Sequence, residues 1–103
     1  MKSISILFPI YGKKDADIVI REYCKEIEKN ARLELIVVAD GMNKSEINEL
    51  SKEIPKAKII WENKRRGKGW AIRKGFSIAK NDIIGFVDVD ESLKPKELLK
   101  ELN

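Results

Sequence analysis

The residues of this chain best suited to chemistry are Asp88 and Asp90, one residue apart at the end of the apolar run Ile83-Ile84-Gly85-Phe86-Val87. In extended backbone, side chains two positions apart point the same way, so the two carboxylates could converge on one cation. Oxygen ligands suit Mg2+ or Mn2+, which keep several waters and bind through one or two carboxylates together with substrate phosphates. A strand end that simply turns is the competing reading, because aspartate favours turns. Glu91 could be a third acidic group of the cluster or simply a solvated neighbour.

Upstream, Asn63-Lys64-Arg65-Arg66-Gly67-Lys68-Gly69 stands before a helical pattern and combines positive side chains, glycine-loosened backbone N–H groups and a helix N-terminus. Those are the ingredients of a phosphate cradle. The run is not a P-loop, since it lacks the Gly-Lys-Ser/Thr ending. A solvated charged loop accounts for it equally well, and so does a nucleic-acid patch flanked by Trp61 and Trp70. Asp40, before Gly41, could accept a hydrogen bond from a nucleobase or a ribose hydroxyl, or could make an Asp-Gly turn and nothing more. Tyr11 could stack on a base or merely cover a strand end.

Other chemistries are closed. The chain has no histidine, so imidazole catalysis and histidine metal ligation are excluded, and its one cysteine, Cys24, cannot form an internal disulfide. Cys24 lies in a helical pattern that suits a buried thiol. The net charge of +4 favours an anionic partner but is mild beside the basic surfaces of dedicated nucleic-acid binders.

These groups need a scaffold, and the apolar pattern supplies one. With 103 residues, 43% of them hydrophobic, the chain fits a single domain over residues 1–103. Residues 3–10 read as a β-branched, apolar first strand in which Pro9 withdraws a ladder donor. Over residues 15–31, Ile20, Cys24, Ile27 and Ala31 share one helix face. Residues 33–39 are apolar almost throughout, as a strand buried on both faces requires. Asn43 with Glu46 forms a capping-box pattern opening a helix that carries Ile47, Leu50 and Ile54 before Pro55. Residues 57–62 are a third strand, Ala71, Gly75, Ile78 and Ala79 mark a helix with a small-residue face, and a fourth strand is expected from Asp82 to about Val89. Lys94-Pro95 opens a last helix.

Strands alternating with helices predict an α/β fold, a three-layer Rossmann-like arrangement in which a mostly parallel four-stranded sheet carries helices on both faces. Ligands of such sheets bind beyond the carboxyl ends of the strands, so Tyr11, Asp40, the basic loop and the aspartate pair should share one rim. No apolar run approaches the roughly 20 residues of a spanning helix, no secretory leader pattern is visible, and the expected location is the cytoplasm.

Taken in order, Phe8-Pro9-Ile10-Tyr11, Ile36-Val37-Val38-Ala39-Asp40-Gly41, Asn63 to Ala71, Gly75 with Ala79, and Phe86-Val87-Asp88-Val89-Asp90 resemble the family-two glycosyltransferases, with most likeness to the polyprenyl (dolichyl) phosphate mannose and glucose synthases. The resemblance covers nearly the whole chain. It implies the donor-binding half of a GT-A fold, a UDP- or GDP-sugar donor and a divalent metal, Mg2+ or Mn2+. By position it implies Pro9, Tyr11, Asp40, Arg66, Lys68 and Asp88 as donor-binding residues, Asp40 as the aspartate on the base, and Asp88 with Asp90 as metal ligands. It further implies a polyprenyl phosphate acceptor met at the membrane surface, and no nucleic-acid partner. Two departures stand out: Gly12-Lys13 replaces the family's Asn-Glu after the tyrosine, and Ala39 takes the first place of its paired aspartates. Family members carry the acceptor site and catalytic base beyond the Asp-x-Asp helix, and no residue of this chain matches that base. A non-catalytic nucleotide-sugar-binding module is the alternative. The fourth strand should leave an exposed sheet edge, across which a homodimer is expected.

Overall fold

A computed structural model describes residues 1–12 and 15–89. The strands are β1 (Lys2–Ile10), β2 (Ala31–Asp40), β3 (Lys58–Glu62) and β4 (Ile83–Phe86), alternating with helices α1 (Ala16–Ile27), α2 (Lys44–Glu53) and α3 (Lys68–Ile78). They form one sheet in the order β3-β2-β1-β4, every pair parallel. The expected α/β architecture is thus present. The helix opened by Lys94-Pro95 lies outside the described residues.

The two central strands are apolar on both sides because both sides are covered. On one face Ile6, Phe8 and Ile10 of β1 and Leu35, Val37 and Ala39 of β2 pack with Ile20, Tyr23, Cys24 and Ile27 of α1 and Ile47 and Leu50 of α2. Phe8 and Tyr23 meet edge to face at 5.8 Å. On the other face Leu7, Ile36 and Val38 pack against Ala71 of α3. Only small side chains let α3 come this close: a Cβ on Gly75 would stand 2.5 Å from Leu7 Cδ2.

Local signals explain the boundaries. The capping box is formed, with the Glu46 amide donating to Asn43 Oδ1 at 2.9 Å and the Asn43 amide to Glu46 Oε1 at 3.0 Å. The first helix stops earlier than its periodicity predicts, at Ile27, because Ala31 is already claimed by the β ladder opposite Lys2.

The fourth strand also ends early, at Phe86 rather than near Val89. The cause lies in its neighbour. The Val87 amide donates to the Leu7 carbonyl at 2.9 Å, so Leu7 directs its backbone groups towards β4. Pro9, two residues on, directs its backbone the same way and has no N–H to continue the ladder. Asp88 therefore stands past the strand, while Val87 and Val89 on either side of it are both buried.

Two carboxylates of β2 hold the ends of α3. Glu34 and Asp40 are an even number of residues apart and so lie on one face of the strand, the face that α3 covers. Asp40 accepts the backbone N–H groups of Arg66 and Gly67 at the start of α3. Glu34 accepts the Lys80 amide just beyond its end at 2.8 Å.

Candidate functional site

The rim at the carboxyl ends of the strands gathers Tyr11 after β1, Asp40 at the end of β2, Arg65 and Lys68 after β3, and Asp88 after β4. Parallel topology makes this convergence unavoidable, since every β-to-α connection leaves the sheet on the same side.

Asp40 is 1% exposed. Its Oδ1 accepts the Arg66 amide at 2.7 Å and its Oδ2 the Gly67 amide at 2.8 Å. Beside it, the Gly41 and Met42 amides both donate to the Glu62 carbonyl, at 2.9 and 3.1 Å, closing the gap between the β2 and β3 ends. Gly41 has φ +73°, and a Cβ there would meet Arg65 Cβ at 3.3 Å. Glycine is thus required both for the turn and for the close passage of the basic loop.

That loop directs its charges in different directions. The Arg65 guanidinium lies over the Tyr11 ring, 4.5 Å from its centroid. A cation there is attracted by the electron-rich face of the ring. Lys68 reaches across to form an ion pair with Asp88. The side chain of Arg66 is exposed, and its described contact is the backbone bond to Asp40. Sequence alone singled out Arg66 and Lys68. Arg65 was missed as the arginine on the tyrosine, because in an irregular loop nothing in residue order says which of two adjacent arginines turns inward.

Tyr11 is half-buried and its hydroxyl, itself shielded from solvent, has no hydrogen-bond partner among the described residues. Burial pushes its pKa above the ordinary 10.0; Lys68 opposes the rise, Asp40 and Asp88 add to it, and Arg65 opposes it. The phenol is therefore neutral at physiological pH, with a hydroxyl able to bond a ligand. Pro9 is buried inside the sheet and has no N–H with which to extend the β1–β4 ladder past Val87.

The donor set at Asp88 suits a hard cation. Its carboxylate is paired with the Lys68 ammonium, which a metal ion would have to displace or share. No three or more acidic, histidine or cysteine groups gather around one point among the described residues. A divalent ion at Asp88 would complete its shell with phosphate oxygens, water or Asp90, which lies outside the described residues together with Glu91.

Trp61 and Trp70 pack in different layers, Trp61 with the α1–α2 side of the sheet and Trp70 with the α3 side. They do not form one stacking platform for bases.

A model of glycosyl transferase family 2 matches residues 5–103. No curated protein sequence matches the chain. Among solved structures, the mannosyltransferase PcManGT from Pyrobaculum calidifontis, in complex with GDP-Man and Mn2+, is similar with a TM-score of 0.60 at 22% identity, over 84% of this chain and 27% of that one. S. aureus TarS 1-349 is similar with a TM-score of 0.62 at 20% identity, over 97% of this chain and 31% of that one. At such identities the likeness is one of fold. The chain spans less than a third of either neighbour. No helix among the described residues is long and apolar enough to cross a membrane.

Proposed function

The chain belongs to glycosyl transferase family 2, and from that premise we propose that it binds a UDP- or GDP-sugar on the rim formed by Tyr11, Arg65, Lys68 and Asp88, in support of glycosyl transfer. The observation that carries this reading is the convergence of a half-buried neutral phenol, two cations and a carboxylate beside the start of α3. Arg65 and Lys68 supply charge for a diphosphate, and the first turn of α3 beyond the Asp40 anchor adds its dipole. Tyr11 offers a ring face and a hydroxyl to the nucleoside once Arg65 moves aside.

Asp88, with Asp90, would hold Mg2+ or Mn2+, which when bound neutralises charge on the departing nucleotide diphosphate. The Mn2+ and GDP-Man in the mannosyltransferase neighbour support this choice of ligands. The acceptor we propose is a polyprenyl phosphate, on the likeness of the motifs to the synthases that use one; its phosphate oxygen can attack without a protein base. Such an acceptor fits a cytoplasmic protein that visits the membrane surface. Association of two copies across the β4 edge, where Ile83 and Phe86 are 49% and 47% exposed, is part of the same reading. Light scattering across a concentration series should show a dimer, and a monomer at the highest concentration would refute it.

Calorimetry with UDP- and GDP-sugars, with and without Mn2+, tests the donor site. We expect metal-dependent binding that Asp88→Asn abolishes. Failure of every sugar nucleotide to bind would remove the reading, and product formation on a polyprenyl phosphate separates a transferase from a binding module.

A further inference from the structure

We propose that Asp40 is a positioning residue, which sets the basic loop for the diphosphate instead of touching the base. This rests on the donor-binding reading above and deepens it. Asp40 is 1% exposed, and each of its oxygens already accepts a backbone N–H, from Arg66 at 2.7 Å and from Gly67 at 2.8 Å. Each oxygen keeps a further lone pair, but a nucleobase reaching it would have to enter a space from which solvent is excluded.

The bonds to the loop have consequences on either side. Gly67 has φ +102°, a conformation that side-chain-bearing residues rarely adopt, and it is the residue from which α3 springs. Its carbonyl accepts the Ala71 amide at 3.1 Å, so fixing Gly67 fixes the first turn of the helix. Lys68, the next residue, is thereby aimed at Asp88. Arg65, immediately before the pair of bonds, is held between Gly41 and the Tyr11 ring. Charged acceptors bonded to two adjacent amides are strong and directional anchors. Asp40 accordingly controls both cations that would meet a diphosphate without facing the ligand itself.

The two roles differ in what they do to a ligand that has no base. Binding of Mn2+-pyrophosphate, UDP and GDP is measured by calorimetry on the full chain and on Asp40→Asn. The substitution keeps the shape of the side chain but turns one acceptor into a donor facing an amide N–H. We expect all three ligands to weaken by a similar factor, on the order of tenfold, with pyrophosphate suffering no less than the nucleotides. Amide exchange at Arg66 and Gly67 in the free protein should quicken by at least about tenfold while Val37 and Val38 keep their protection.

Loss confined to UDP and GDP, with pyrophosphate bound as by the unsubstituted chain, would show direct base contact and overturn the proposal. Unchanged exchange at Arg66 and Gly67 would overturn it too. A purely structural role would lower stability yet leave the affinities of the folded fraction alone, and that result also counts against it. If the unsubstituted chain binds none of the three ligands, the donor-site reading falls first and takes this role with it. Should Asp40→Asn fail to fold, Arg66→Pro, read against Arg66→Ala, isolates deletion of the Arg66 N–H from loss of its charge and is judged by the same comparison of ligands.

Discussion

On the proposed donor-site reading, Lys68 and Asp88 are assembled before any ligand arrives. The ammonium and the carboxylate neutralise each other across the rim, and each is a group that a metal-bound diphosphate would recruit separately. Lys68→Met should therefore act in opposite directions on two ligands. Removing the ammonium leaves Asp88 more available, so affinity for Mn2+ alone should rise, by a few-fold given that an exposed pair of this kind contributes about 1 kcal/mol or less. On the proposed donor-site reading, affinity for a sugar nucleotide should fall, because Lys68 would no longer meet the diphosphate. Manganese titration followed by magnetic resonance, beside calorimetry with the nucleotide, reads both; a fall in both affinities would mean that Lys68 supports the metal site. Residue types disclosed much of this in advance. Asp40, Lys68, Asp88 and Tyr11 could be placed on one rim from order alone, because parallel strands put every following loop there. Which partner each would choose was hidden, since an Asp-Gly turn looks the same whether its carboxylate meets a base or the backbone of a loop 26 residues on.

At the scale of elements, α3 is the part whose sequence is most tightly set by its surroundings. Its two glycines occupy different environments, and magnitudes separate them. A Cβ on Gly69 would meet only the mobile tip of Arg73, at 3.2 Å, whereas one on Gly75 would come within 2.5 Å of Leu7, a side chain with no exposed surface. Alanine gains up to about 1 kcal/mol over glycine in a helix interior, while overpacking a core costs roughly 1–3 kcal/mol. Urea denaturation should therefore find Gly69→Ala neutral or slightly stabilising and Gly75→Ala destabilising by about 1–2 kcal/mol. A stabilised Gly75→Ala would mean that Leu7 has room to move. The small-residue face was legible because close packing leaves a mark in residue size. The end of β4 was not, because the residue that stops it, Pro9, belongs to a different strand, and its effect appears only once β1 and β4 are known to be neighbours.

For the molecule as a whole, the rim at the carboxyl ends of the strands is balanced by a polar knot at the opposite end of the sheet. Glu34 accepts from Ser5 of β1 at 2.7 Å, Lys58 of β3 at 2.7 Å and the Lys80 amide after α3 at 2.8 Å, while Asn81 donates to the Ser5 hydroxyl. One carboxylate thus joins three strands to the passage from α3 into β4. Burial alone would raise its pKa, but the bonds from Lys58, Lys80 and Ser5 outweigh that and hold it down from 4.5 to about 2. A depressed folded-state pKa means that the unfolded chain binds the proton first. The stabilisation is therefore complete above about pH 4.5 and is lost as the pH falls towards about 2. Its size is on the order of 1–2 kcal/mol, since the partner Lys58 is 44% exposed and solvent screens the pair. Glu34→Gln removes the charge and so should be less stable than the parent at neutral pH, with the gap narrowing through that acid window as the parent loses its advantage. Thermal unfolding of both proteins at intervals from pH 7 to pH 2 measures the gap directly, and a difference that stayed constant over the series would show that Glu34 carries no linked proton.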